Sequence, residues 1–331
     1  MGKKMMSFLT KKWVLCGLAA AMASSAAIAQ TQDYPNRAVT IVVPTTAGGT
    51  ADILGRLLGK KLGDMWGQPV VVENRSGAGT QIGTEYAARA KPDGYTLMLT
   101  FNELATLPAV NKNTRVDVVR DFTRVGKIGS LPVVILGNPK MTANTMGELV
   151  KQLQAAPGKY TYSSGGPGSI LHLYTEMFKQ VAKVDMLHVP YRGALEASTA
   201  LIAGEVDVLV QFANGNVINY VTSGKAKGYA VASPQRLTRL PDVPTTAEVG
   251  MPDLQLEAWY GLFAPAGLPD TLKQKINRDL IEVMKQPDIQ ERLATLNMQV
   301  QSGTSESFDA FFLNEHERWT KLISDAGIQG N

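Results

Sequence analysis

The residues able to do chemistry gather in four turns rich in glycine and small hydroxyl side chains, over 44–52, 74–82, 163–170 and 190–195. The first carries Thr45, Thr46, Ala47, Gly48, Gly49 and Asp52. The second carries Ser76, Ala78, Gly79 and Thr80. The third carries Ser163, Ser164, Gly165, Gly168 and Ser169, and the fourth Tyr191, Arg192, Gly193 and Ala194. Each follows an apolar run suited to a strand and precedes a stretch suited to a helix. A strand that ends in glycines at a helix N-terminus offers free N–H groups and the positive end of the helix dipole to an anion. Two such turns come from each half of the chain. If the halves face each other, the field suits a small molecule with a carboxylate at each end. Arg192 brings a formal cation to the fourth turn, although a long Arg beside a turn usually reaches water. Thr50 is placed to cap its helix, and Asp52, in the first helical turn, to orient the loop rather than to meet a carboxylate. Tyr191 and Trp259 suit either the wall of a cleft or a core.

Other chemistries find no support. The three histidines, His172, His188 and His316, show no H-E-x-x-H or Cys/His spacing, so no metal is expected. Ser163-Ser164 lacks the G-x-S-x-G frame of a hydrolase elbow, and no phosphate-binding G-x-x-x-x-G-K-[ST] loop occurs. Gly77, Gly79 and Gly83 give G-x-G-x-x-x-G, not the dinucleotide spacing. Neither a cofactor nor catalysis is expected.

The elements that must position these turns read as repeated strand–helix units. Val39-Thr40-Ile41-Val42-Val43, Pro69 to Glu73 and Tyr95 to Thr100 are strands of a parallel, helix-covered sheet. Ile53, Leu54, Leu57, Leu58 and Leu62 form one helical stripe. Phe122 to Pro139 has strand character without a break, as a strand leaving one domain for another would. Tyr160 to Ser163, Met186 to Val189, Val206 to Val210 and Lys227 to Ala232 repeat the scheme, and Leu254 to Phe263 suits a return crossing. Helices are expected over 145–153, 269–285, 288–296 and 307–326.

Residues 1–29 read as an export signal: Lys3, Lys4, Lys11 and Lys12, an apolar stretch from Trp13, and Ala27-Ile28-Ala29 as a cleavage pattern. Removing these four lysines from 33 basic residues leaves 29, against 29 acidic ones, so nothing in the charge favours nucleic acid or an anionic membrane. The one cysteine, Cys16, lies in the leader, which excludes an internal disulfide in the exported protein.

Four segments together resemble the tripartite tricarboxylate transporter solute receptors, also called the Bug family. They are VVPTTAGGTADILGRLL, VVVENRSGAGTQIGTEYAARAKPDGYTL, YSSGGPGSILHLYTEMFK with HVPYRGALEASTALIAGEVDV, and RLPDVPTTAEVG with WYGLFAPAGLP. The resemblance spans about Tyr34 to Gly327. It implies an α/β type II periplasmic binding protein of Venus-flytrap form, with two domains, each a helix-covered, mostly parallel sheet. Domain I would comprise 30–130 and 257–331, and domain II 131–256, hinged near 128–136 and 254–263. It also implies a monomeric periplasmic receptor, without cofactor, that delivers a small carboxylate to membrane permease subunits. The family's ligand loops map onto Thr45 to Asp52, Ser76 to Thr80, Ser163 to Ser169 and Tyr191 to Ala194. Two departures stand out. Thr45-Thr46-Ala47-Gly48-Gly49 replaces a Phe-Pro-Pro-Gly-Gly pattern, which removes a bulky wall and points to an aromatic diacid such as terephthalate. Gln211 stands where many members carry an acid, which disfavours a ligand amine and tolerates a second carboxylate. The rival readings are an exported α/β enzyme and an orphan receptor that signals to a membrane sensor.

Overall fold

The computed structural model describes residues 34–111, 113–254 and 256–328; the expected export signal lies outside them. In chain order the elements are β1 (Val39–Val43), α1 (Thr50–Trp66), β2 (Val70–Asn74), α2 (Gln81–Ala88), β3 (Thr96–Phe101) and α3 (Glu103–Val110). Then come β4 (Phe122–Gly137), α4 (Met146–Gln154), β5 (Thr161–Ser164), α5 (Ile170–Ala182), β6 (Leu187–Pro190), α6 (Ala194–Ala203) and β7 (Val208–Phe212). The chain closes with α7 (Gly215–Thr222), β8 (Lys227–Ala232), β9 (Glu257–Pro265), α8 (Asp270–Met284), α9 (Pro287–Thr295), β10 (Gln299–Val300) and α10 (Ser305–Asp325).

The strands follow the order β2-β1-β3-β9-β4-β7-β5-β6, with β8 and β10 also on β4. The strand–helix repeats produce parallel pairs, β1 with β2 and β3, and β5 with β6 and β7. Every antiparallel pair involves β4 or β9. The first part of β4 pairs with β9 as far as Pro132, opposite Glu257. From Val133 onward it pairs with β7 and β8 instead. One unbroken strand therefore belongs to two sheets, as its uninterrupted strand character suggested.

The helices cover these sheets by the apolar stripes visible in the sequence. Leu54, Leu58 and Leu62 of α1 are buried against Val39, Ile41 and Val43. Gly147, which looked like a weak point inside a helix, falls in the first turn of α4, where its flexibility costs little. Thr145 accepts the amide of Glu148, whose carboxylate takes the amide of Asn144, so the helix start is satisfied reciprocally. α3 was not legible in the sequence. Its Leu104, Ala105, Thr106 and Leu107 are all buried, so it lacks the one-sided stripe that marks a surface helix, and Pro108 sits inside it.

α10 ties the two parts together. Phe308 and Phe312 pack with Trp259 and Phe263 beside the first sheet. Trp319, Leu322 and Ile323 pack with Tyr162 and Tyr174 beside the second. The C-terminal helix is thus not confined to one core. Trp319 is fully buried and donates to Glu315 Oε2 at 3.0 Å. Trp319→Ala should destabilise the fold by about 3–5 kcal/mol, the cost of emptying a large aromatic site. Urea denaturation followed by circular dichroism measures that loss.

Candidate functional site

The first two turns are locked to each other. Asn74 Nδ2 donates to the Thr45 carbonyl at 3.2 Å, and the Arg75 amide to the Val43 carbonyl at 2.9 Å. Gly83 lies so near Pro44 that a Cβ there would stand 2.8 Å from Pro44 Cα and 2.6 Å from the Arg75 carbonyl oxygen. Only glycine lets α2 approach the end of β1 so closely. The expected Thr50 cap is not formed. Gly49 is the N-cap residue, without a side chain to use, and Thr50 is already helical. Asp52 supplies the loop anchor instead, accepting the Gly48 amide at 2.8 Å and pairing with Arg56 at 2.9 Å. The Gly48 amide first, and Arg56 second, hold its carboxyl below the usual range.

The second turn has an unusual backbone. Gly77, Ala78, Gly79 and Thr80 have φ of 134°, 47°, 59° and 75°. Ala78 and the β-branched Thr80 pay steric strain for this, which marks a loop held in a set shape. Among the described residues, the amides of Ser76 to Thr80 make no hydrogen bond to protein. Thr80 Oγ1 and Thr45 Oγ1 are buried and likewise unpartnered.

The third and fourth turns are built over a stacked pair of imidazoles. The His172 and His188 rings lie 4.1 Å apart, and Tyr162 stacks on His188 at 4.8 Å. His188 Nε2 is 2.6 Å from Ser164 Oγ, which also accepts the Gly166 amide at 3.1 Å. His172 Nδ1 accepts the Gly168 amide at 3.0 Å. Burial lowers both imidazoles, His188 to about 4, so they are neutral acceptors or donors near neutral pH. Ser169 caps α5 by accepting the His172 amide. Gly165 packs against Gly193 and Ala194, at 3.6 Å from where its Cβ would be, so the two turns form one unit.

A cleft of about 770 Å³ opens between these units. It is lined by Pro44, Thr45, the 76–81 turn, Phe101, Glu103, Thr106, Leu107, Val110, Asn111, Asn113 and the 167–169 turn. Of the residues expected at a ligand, Thr45, Ser76, Ala78, Gly79, Thr80, Gly168 and Ser169 line it. Thr46, Ala47, Gly48 and Gly49 are exposed on the outer part of their loop, and Asp52 is turned inward to Gly48 and Arg56. Ser163, Ser164 and Gln211 are buried beneath the turns. Ser163 donates to the Ala197 carbonyl, and Gln211 to the Ala194 carbonyl and to Ser198 Oγ, because β5 and β7 direct these side chains into α6. They hold the fourth turn in place rather than face the cleft. Arg192 is exposed, with its amide, not its guanidinium, bound to Glu196. Tyr191 is half-buried at the edge of the cluster beneath α6 and Trp259 is fully buried among phenylalanines, and neither lines the cleft. The close Ser164–His188 contact has a buried hydroxyl already engaged with its own loop, which leaves no exposed nucleophile there.

Sequence reasoning missed the wall contributed by α3. Glu103 is its first residue, and Oε2 is buried without a hydrogen-bond partner. Burial pushes this carboxyl up to about 8, with only its own amide opposing. A polar pair, Asn102-Glu103, directly after an apolar strand was the available signal. Among the described residues, the lining carries no lysine, arginine or histidine.

A sequence profile for the "tripartite tricarboxylate transporter family receptor" matches residues 54–328. The chain belongs to this family. It is therefore a solute receptor of the periplasmic binding protein type. The solved periplasmic binding protein BugD is 32% identical, with a TM-score of 0.72 over 90% of this chain and 100% of that one. MatC from Rhodopseudomonas palustris, with bound malate, is 30% identical, with a TM-score of 0.72 over 88% and 100%. An R. palustris protein with adipate is 28% identical, with a TM-score of 0.76 over 90% and 100%. Within this receptor, Asp52→Asn should lower stability at pH 7 by about 1.5–3 kcal/mol, the worth of hydrogen bonds to a charged group. Asp52 is held below its ordinary 3.8, so its contribution is present above that pH and lost as pH falls through the lower folded value. Urea titrations of both proteins from pH 7 to pH 3 should show the gap closing.

Proposed function

We propose that this receptor captures a small dicarboxylate in the periplasm, between two domains, and hands it to the membrane subunits of a tripartite transporter. The observation that carries this reading is the convergence on one cleft of unpaired amides from 76–80, unpartnered Thr45 and Thr80 hydroxyls, and the N-terminus of α5 behind Ser169. Such a surface binds carboxylates by hydrogen bonds and helix ends, without a cation. Malate and adipate, bound by two relatives, are both diacids. Pro44, Phe101, Leu107 and Val110 give the cleft an apolar wall, which suits the hydrocarbon part of the ligand. With Thr45 at the cleft in place of a bulkier residue, we infer that an aromatic diacid such as terephthalate suits this wall better than a short aliphatic one.

Domain I takes in 30–130 and 257–331, and domain II 131–256, and closure bends the segments near 128–136 and 254–263. Supporting this, β4 changes partners at Pro132 and Val133, beside the end of its pairing with β9. The Lys127–Glu257 ion pair, at 2.5 Å, sits at that junction.

A ligand that binds only the folded protein raises its melting temperature by mass action. Terephthalate, adipate and malate at millimolar concentration should do so, with monocarboxylates weaker; a panel in which no carboxylate shifts the transition contradicts the reading. Thr80→Val, which deletes an unpartnered hydroxyl at the cleft, should raise the calorimetric Kd about tenfold. Ser163→Ala should lower the melting temperature and leave Kd unchanged, since its hydroxyl serves the Ala197 carbonyl.

A further inference from the structure

The geometry points to Glu103 as a proton-carrying ligand residue: it holds its carboxyl in the neutral form and donates a hydrogen bond to a carboxylate oxygen of the ligand. This rests on the dicarboxylate reading above and adds a specificity element to it. Among the described residues, Glu103 is the one acidic or basic side chain of the cleft lining. It stands at the start of α3, directly after β3, and lines the cleft with the first, second and third turns. Its Oε2 is out of reach of solvent and has no partner among the described residues. An ionised carboxylate with one oxygen buried and unpartnered is disfavoured, whereas a carboxylic acid needs only an acceptor for its proton.

Among the described residues, the polar and charged groups around Glu103 are engaged elsewhere. Tyr260 of β9 and Tyr174 of α5 face Glu103 and are themselves pushed up, first by burial, so they stay neutral. Tyr174 Oη already donates to the Glu257 carbonyl and accepts from Asn102. The Glu257 carboxylate belongs to Lys127. On α10, Glu315 is bound by Trp259, Trp319 and Arg318, and His316 by the Ala105 carbonyl. On α2, Glu85 is held by Gln81 and Arg89. Asp52, across the first turn, is committed to Gly48 and Arg56.

A buried carboxyl in this setting stays protonated near neutral pH, consistent with its rise to about 8. A ligand carboxylate brought beside it favours the proton further. A ligand ammonium would instead favour the ionised form, so the two ligand classes give opposite pH dependence. Malate and adipate, the ligands of two relatives, carry no amine.

The test is calorimetry of the full receptor with adipate, terephthalate and L-glutamate from pH 6 to 9.5, for the parent and Glu103→Gln. For the diacids, Kd should be flat from pH 6 to 7 and weaken about 30-fold between pH 7 and 9.5, a tenfold loss per unit above the carboxyl's own titration. Glu103→Gln keeps a donor without a charge. It should bind within about threefold of the parent at pH 7 and lose the pH dependence. Diacid binding in the parent that is independent of pH overturns the assignment while leaving the dicarboxylate reading intact. Affinity that rises with pH, strongest for L-glutamate and lost in Glu103→Gln, also overturns it, in favour of a carboxylate that pairs with an amine. Absence of diacid binding at every pH removes the dicarboxylate reading, and this inference with it.

Discussion

Everything in this molecule depends on β4 being hydrogen-bonded into two sheets. Its first half is zipped to β9, and its second half to β7 and β8. The exchange occurs at Pro132, which has no N–H to donate, and whose carbonyl is taken by the Ala213 amide. The two sheets are thereby held at a fixed relation in sequence but joined by few strands in space. β9 and α10 complete the connection, the latter by burying phenylalanines on one side and Trp319 on the other. A cleft lined by turns from both sides follows from that arrangement.

The turns are held from behind by polar side chains that do not themselves face the cleft. Asp52 and Arg56 fix the first, Gly83 allows the second to approach it, and Ser164 with two neutral imidazoles fixes the third. Preorganised amides lose little entropy when a ligand arrives. The strained Ala78-Gly79-Thr80 backbone fits the same pattern, with local cost accepted where amides must point in one direction.

Much of this was legible in the sequence because glycine, proline and β-branched residues punctuate βα units strongly. The four turns, the long crossing strand and the stripe on α1 all follow from local chemistry. What was not legible depended on tertiary direction. Ser163 borders a glycine-rich turn and Gln211 is the polar residue of an apolar strand, yet strand alternation sends both into α6, and alternation relative to a cleft is unknowable until the sheet faces are set. α3 escaped notice because its buried residues, Leu104 to Leu107, are consecutive and show no 3.6-residue stripe. Glu103 escaped with it: the polar pair Asn102-Glu103 after an apolar strand marks a helix start but does not say which way the glutamate faces. The family resemblance mapped four ligand loops onto the chain; the cleft is lined by Thr45, the 76–81 turn and the 167–169 turn, while Gln211 is buried beneath the fourth turn.

The central claim is that a dicarboxylate spans the cleft, and a crystal structure of the receptor grown with saturating adipate tests it most directly. It predicts one carboxylate within hydrogen-bond distance of the 78–80 amides and Thr80 Oγ1, the Gly168–Ser169 turn on the opposite side, and the hydrocarbon against Phe101 and Leu107. Adipate bound outside the cleft, or held by one wall alone through surface lysines or arginines, would contradict it.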